Sequence, residues 1–373
     1  VRIDLRHSSL LIGEYRRFHL LSCLGLSRLK NERTKTQREG FMKTTRRGFL
    51  AALPAVALIS RRGDAAEFEY KLATGQDPTH PVNIRAQQAI DRIREATNGR
   101  VAMQLFPANQ LGSDTDLLAQ VRSGGVEIFN LSTSILATLV PVAGIVNTGF
   151  AFSSYEKVWH AMDGGLGDYI RLHVGKAGLL APAKLWDNGY RQISSSTRPI
   201  RTPEDLRGFK IRVPPAPMLT SVFKTLGAGA TPINFNELYS ALQTQIVEGQ
   251  ENPLAIFSSA KLYEVQKYVS MTGHVWDGYV MLANRRAWLA LPEEAQSVIA
   301  RELDRAGAEE RADVARLSQS LREDLTAKKI TFFDVDRELF RAALAKTSFY
   351  TDWKAKYGAE AWGLMEATTG PLA

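Results

Sequence analysis

Cysteine is almost absent: Cys23 is the only one in 373 residues. A lone thiol cannot close a disulfide within the chain or supply a multi-thiolate metal site. Histidine is scarce too, and the four beyond residue 66, His80, His160, His173 and His274, include no pair at metal-ligand spacing. Neither H-E-x-x-H nor G-x-S-x-G occurs, which removes two common hydrolase signatures. The S-x-x-K matches at Ser154–Lys157 and Ser221–Lys224 lack an accompanying K-T-G. Repeated hits in one chain show how little a four-residue pattern means. Gly227-Ala228-Gly229 lies between a helix and a strand, the wrong order for a dinucleotide loop.

Basic charge is missing where it would matter for nucleic acid. The formal net charge is +8, yet residues 1–66 carry net +9 and residues 67–373 carry net −1. The basic character therefore belongs to the first 66 residues, and a nucleic-acid function built on it fails. From Met42 a short basic segment, an apolar run from Gly48 to Ser60 and small residues at Ala65 and Ala66 follow in the order of an export signal. Thr45-Arg46-Arg47-Gly48-Phe49-Leu50 fits the twin-arginine pattern. Residues 42–66 are expected to be a signal peptide cleaved near Ala66, with residues 1–41 a leader extension ahead of the true start. A bilayer-spanning helix needs about 20 apolar residues. The Gly48–Ser60 run is too short for this, and no later run reaches it, so no direct membrane insertion is expected.

The remaining 300 or so residues are long enough for two domains with real cores. Phe68–Ala73 alternates as a strand, Val82–Thr97 carries a helical apolar stripe, and Val101–Phe106 is a second strand. Ser113 and Asp114 cap a helix over Thr115–Arg122, and Val126–Leu131 is a third strand. This βαβαβ order predicts an α/β fold with a mainly parallel sheet, whose ligands bind beyond the strand ends. The pattern restarts with a helical stretch over Tyr155–Val174 and a strand over Leu179–Leu185. A short strand at Lys210–Val213, helices over Met218–Leu226 and Glu237–Thr244, and a strand over Val275–Ala283 follow. A last helix from Leu291 to about Lys328 would be roughly 55 Å long, enough to bridge two lobes, with Gly307 as a possible bend.

Three long stretches, EDLRGFKIRVP, NFNELYSALQTQIVEGQENPL and YEVQKYVSMTGHVWDG, resemble the solute-binding proteins of tripartite ATP-independent periplasmic (TRAP) transporters, DctP type. The early segments DPTHP and TNGRVAMQLFPANQLGSD are similar as well, so the resemblance runs from Glu67 to the C-terminus. It implies a two-lobed periplasmic binding protein, type II-like, with a long lobe-bridging helix. The lobes would be residues 67–188 plus 278–317 and residues 189–277 plus 318–373. It further implies a periplasmic, monomeric receptor in a Gram-negative bacterium, without catalysis or cofactor, that delivers a small carboxylate to TRAP permease membrane subunits.

In Lys210-Ile211-Arg212-Val213, alternation puts Arg212 on the face opposite Ile211 and Val213. A guanidinium grips a carboxylate with two parallel bonds, which an ammonium cannot do. By residue type alone an Arg on a short strand is more often a surface ion pair, and it is the resemblance that makes Arg212 the carboxylate clamp. By the same resemblance Arg191 meets that carboxylate, Asn252 before Pro253 gives an amide contact, and Phe235 forms an aromatic wall. A lobe-junction ion pair, a turn residue and core packing are their respective alternatives. Gln76 and His80 in the first strand-end loop, and Trp276 and Asp277 where the chain crosses between lobes, would suit a hydroxylated ligand; a buried hinge aromatic is the other reading of Trp276. Ser132 stands where sialate-binding members carry Glu, which argues against sialic acid. The expected ligand is a sugar acid, a uronate such as galacturonate or glucuronate, or an aldonate. A C4-dicarboxylate or keto acid is the alternative within the class, and an exported hydrolase without a recognisable motif is the alternative outside it.

Overall fold

In the computed structural model residues 66–372 are described, so the leader, most of the signal segment and Cys23 lie outside them. The strands are β1 (Phe68–Thr74), β2 (Val101–Phe106), β3 (Ile128–Ser132), β4 (Leu179–Leu180), β5 (Trp186–Ser195), β6 (Lys210–Val213), β7 (Gly229–Pro232), β8 (Gly249–Asn252), β9 (Tyr268–Asn284) and β10 (Thr331–Asp334), and β-branched and aromatic residues are frequent in β1, β9 and β10. The main path through the sheet is β2-β1-β3-β9-β5-β8-β6-β7. β1 pairs in parallel with β2 and β3, joined by helices Pro81–Ala96 and Asp114–Ser123, which is the βαβαβ unit the pattern predicts.

The sheet is mixed where a mainly parallel one is expected. β9 runs antiparallel to β3 and β5, and β5 runs antiparallel to β8. The Leu179–Leu185 strand shrinks to two residues, and the longer strand starts at Trp186. The strand expected over Val275–Ala283 starts seven residues earlier and runs for 17. Gly273 hides this continuity, because a glycine inside a strand reads as a break. At φ 48° it instead takes up the bulge between the pairs Arg191–Val275 and Ile193–Ser270. β5 and β9 thus form one continuous ribbon shared by both halves of the sheet path.

The helix Glu293–Ala327 has 35 residues, roughly 52 Å at 1.5 Å per residue. Its early turns bury Ala295, Val298, Ile299, Leu303 and Ala306 with Val82, Ala86 and Ile90 of the Pro81–Ala96 helix. Its last turns bury Leu321 and Leu325 in a separate core with Leu238, Phe257 and Val269. One helix therefore seals two cores, which is the two-lobed arrangement with a bridging helix. The helix is continuous through Gly307, and its packing supplies a reason for glycine there. A Cβ at Gly307 would lie 2.8 Å from two atoms of the fully buried Trp186 ring.

Gly307→Ala sets helix propensity, worth up to about 1 kcal/mol in favour of Ala, against overpacking of a core, which costs about 1–3 kcal/mol. The clash wins. Urea unfolding should show a net loss of stability, and an increase would mean that Trp186 moves aside freely.

Candidate binding cavity

Beyond the carboxyl ends of β1, β2, β3, β6, β7 and β8, the loops converge on a cavity, at the strand ends where open α/β sheets bind their ligands. Gln76 follows β1, Asp114 opens the helix after β2, and Asn130, Leu131 and Ser132 come from β3, with Ile135 just beyond. Asn188 and Arg191 come from β5, Arg212 and Pro214 from β6 and its end, and Phe235 from the first turn after β7. Asn252, Ile256 and Tyr279 complete the lining.

Asn188 and Arg191 are three residues apart on one strand, a spacing that puts them on opposite faces of a regular strand. A bulge resolves this: Asp187 pairs with Gly278 and Gly189 with Asp277, leaving Asn188 as the extra residue. Gly189 takes φ 109° there, a conformation that favours glycine.

The two arginines have different surroundings. Arg191 is buried and spends its fork on protein: Nη2 donates to Glu251 Oε1 at 2.9 Å, and Nη1 donates to Asp277 Oδ2 at 3.1 Å. Its Nη2 also reaches Asn252 Oδ1 at 2.9 Å. Glu251 in turn lies 3.1 Å from His274 Nε2. Desolvation opposes the charge of Arg191, but Glu251 and Asp277 outweigh it and hold its pKa above the ordinary value. Arg212 is equally buried, yet among the described residues its guanidinium makes one hydrogen bond, Nε to Ile233 O at 2.8 Å, and no ion pair. Burial pulls its pKa down to about 10, with Arg191 adding repulsion, so it is still a cation at neutral pH. The cavity thus holds one paired and one unpaired guanidinium.

A carboxylate faces Arg212 from the other wall. Asp114 is buried, and desolvation raises its pKa while Asn109 and Arg212 act to lower it. Sequence reading treats Ser113 and Asp114 together as helix caps. The capping box in fact uses Ser113 and Asp116, which frees Asp114 to line the cavity. That surplus acid at a helix start is the signal that would have revealed it. Asn130, Asn188 and Tyr279 are also absent from the sequence reading. Five polar atoms of lining residues are buried without a hydrogen-bond partner: Gln76 Oε1, both amide atoms of Asn130, Asn188 Oδ1 and Tyr279 Oη. Buried polar groups are nearly always satisfied, so this concentration in one cavity marks a place for a polar guest.

Of the residues expected from sequence, Gln76, Ser132, Arg191, Arg212, Phe235 and Asn252 are brought together in the lining. Three are not. Trp276 is on the opposite face of β9 from Asp277 and Tyr279, packed edge-on against Trp159 with its Nε1 donating to Asp187 Oδ1 at 2.9 Å. Strand alternation denies it the role of sugar platform. Asp277 lies beneath the lining, accepting from Ser132, Thr133, Asn147 and Asn188 as well as Arg191, and with no oxygen left for a ligand. His80 caps the Pro81–Ala96 helix through Nδ1, and burial lowers its pKa to about 4, so it is neutral and structural. Among the described residues no group of His, Cys, Asp and Glu could hold a metal ion, and no helix is long and apolar enough to cross a membrane.

The profile of the bacterial extracellular solute-binding proteins, family 7, matches residues 72–350. An uncharacterised protein of Sinorhizobium fredii is 34% identical over 306 residues, covering 81% of this chain but only 56% of that longer protein. The 2,3-diketo-L-gulonate-binding periplasmic protein YiaO of Escherichia coli is 31% identical over 297 residues, 79% of this chain and 89% of YiaO. Among solved structures, the sugar acid binding protein DctPAm of Advenella mimigardefordensis, in complex with galactonate, superposes with a TM-score of 0.78 at 28% identity, covering 82% of this chain and 99% of DctPAm.

 A TRAP periplasmic solute-binding protein of Sulfurospirillum deleyianum with bound succinate superposes with a TM-score of 0.76 at 27% identity, covering 82% of this chain and 99% of that one.

Buried carboxyls outside the lining set a pH dependence of stability. Asp187, beside the bulged Asn188, has its carboxyl pushed up to about 7 by burial, and Glu310, which accepts from Asp187 N at 2.8 Å, is raised by burial as well. A raised carboxyl favours the protonated folded state, so its contribution is intact below the ordinary value near 4 and is lost as pH rises to about 7. Asp187→Asn keeps an acceptor for Trp276 and removes this term. Denaturant unfolding at pH 5 and pH 8 should show the difference between the two conditions reduced by on the order of 2 kcal/mol; an unchanged difference would contradict the assignment.

Proposed function

This chain belongs to the bacterial extracellular solute-binding proteins, family 7, the receptors of TRAP transporters, and from that premise we propose that its ligand is a sugar acid, either a uronate such as galacturonate or glucuronate or an aldonate. It is an organic-acid receptor and not an enzyme. The observation that carries the finer reading is the lining itself: one unpaired guanidinium, Arg212, among unsatisfied amide and phenol groups. The acid's carboxylate takes both Nη donors of Arg212, a charge-assisted fork in a dry site. Its hydroxyls bond Gln76, Asn130, Asn188 and Tyr279, and one donates to Asp114.

A C4-dicarboxylate fits this lining less well. Its second carboxylate would need a second free cation, and Arg191 is already neutralised by Glu251 and Asp277. Asp114 would repel it. The twin-arginine-type segment at residues 42–66 delivers the receptor to the periplasm. There residues 67–188 with 278–317 and residues 189–277 with 318–373 close about the ligand, driven only by contacts that are better in the closed form. The permease subunits then receive it from that closed form.

The test is thermal unfolding of the purified protein against galacturonate, glucuronate, galactonate, succinate, a keto acid and neutral galactose. A ligand at 100 times its Kd adds roughly 2.7 kcal/mol, a shift of several degrees at about 2 °C per kcal/mol. Sugar acids should shift the melting temperature and galactose should not. A shift with succinate alone would replace the sugar acid by a dicarboxylate. Arg212→Met, which keeps the aliphatic volume, should weaken sugar-acid binding by about 30-fold or more, since losing one partner of a buried charge pair costs about 2–5 kcal/mol. Arg212→Lys should also weaken it, because the fork is lost; full affinity in either variant would remove Arg212 as the clamp.

A further inference from the structure

Asp114 and Phe235 line the cavity from elements at opposite ends of the sheet path, and their chain neighbours meet outside it. Asn234 Nδ2 lies 3.2 Å from Thr115 Oγ1, and Asn234 Oδ1 lies 3.4 Å from the same oxygen. Both residues are half-buried, and neither belongs to the lining. Among the described hydrogen bonds these are the only ones that join the Asp114–Ser123 helix to the Phe235–Gln243 helix. Asn234 occupies the N-cap position of its helix, where an Asn side chain normally accepts from the helix's own backbone. Here it makes no capping bond and reaches across to Thr115 instead. The preceding residue, Ile233, gives its carbonyl to Arg212 Nε at 2.8 Å. Clamp, bridging residue and aromatic wall are therefore tied together within three consecutive residues, Ile233, Asn234 and Phe235.

We propose that Thr115 and Asn234 form a latch across the mouth of the cavity, made when the two walls meet around the ligand, and that it slows ligand release without taking part in recognition. The proposal rests on the cavity being the ligand site. Because the latch forms after docking, its loss acts on dissociation and leaves association unchanged. Asn234 is a positioning residue in this scheme, and so is Thr115, since neither touches the ligand.

The test is a double-mutant cycle on the full protein with Thr115→Val, Asn234→Ala and the pair, read as association and dissociation rates by stopped-flow tryptophan fluorescence. The probe is whichever of galactonate, galacturonate and succinate binds the wild type. Each single variant should raise the dissociation rate about three- to tenfold, the range of one neutral hydrogen bond, with association unchanged. The double variant should be no faster than the faster single, and the unliganded melting temperature of Thr115→Val should match the wild type. Unchanged dissociation, or two effects that multiply in the double variant, would overturn the latch. If succinate alone binds, the sugar-acid reading fails while the cycle still decides the latch. If none binds, both fail.

Discussion

A guanidinium taken out of water without a direct ion pair is held at a cost of several kcal/mol, and the cavity keeps Arg212 in that condition, with Asp114 and Glu251 acting on it only through the field. Its neighbour Arg191 is buried to the same degree but is neutralised by Glu251 and Asp277. The contrast explains why two arginines in one cavity have different work. Arg191 with Glu251, Asp277 and Asn252 forms a rigid floor, while Arg212 is left with open donors and Ile233 O as its one recorded partner. Polar groups left unsatisfied around them extend the same logic from charge to hydrogen bonding.

Holding that constellation requires a frame that does not relax to satisfy it. β5 and β9 supply one, because they are paired along most of their length and are shared by both halves of the sheet path. The bulge at Asn188 turns one more amide into the cavity without ending the strand. The long helix then ties two separate cores to the same ribbon. Strain at the site is therefore resisted by packing elsewhere, and the open donors of Arg212 wait for a ligand instead of collapsing onto a protein carboxylate.

Much of this was legible in the sequence. Ile211 and Val213 flanking Arg212 gave the strand and its buried faces, and the first βαβαβ unit followed from periodicity alone. The resemblance placed Arg191, Asn252 and Phe235, and all three line the cavity. What stayed hidden depends on register. Trp276 and Asp277 are adjacent, so one strand phase decides which of them faces the site, and neither reaches the ligand surface. Asn188 faces inward only because of a bulge whose one local sign is Gly189, and Asp114 was concealed by its likeness to a cap. His80 has the chemistry of a ligand contact, but its Nδ1 caps its own helix and the residue lies outside the lining.

The most direct measurement is a crystal structure of the protein with the sugar acid that raises its melting temperature most. The account predicts both carboxylate oxygens within about 3.2 Å of the Arg212 Nη atoms, Arg191 still paired with Glu251, and ligand hydroxyls on Asn130 and Asp114. A carboxylate bound to Arg191 with Glu251 displaced, or a hydroxyl in place of the carboxylate at Arg212, would contradict it.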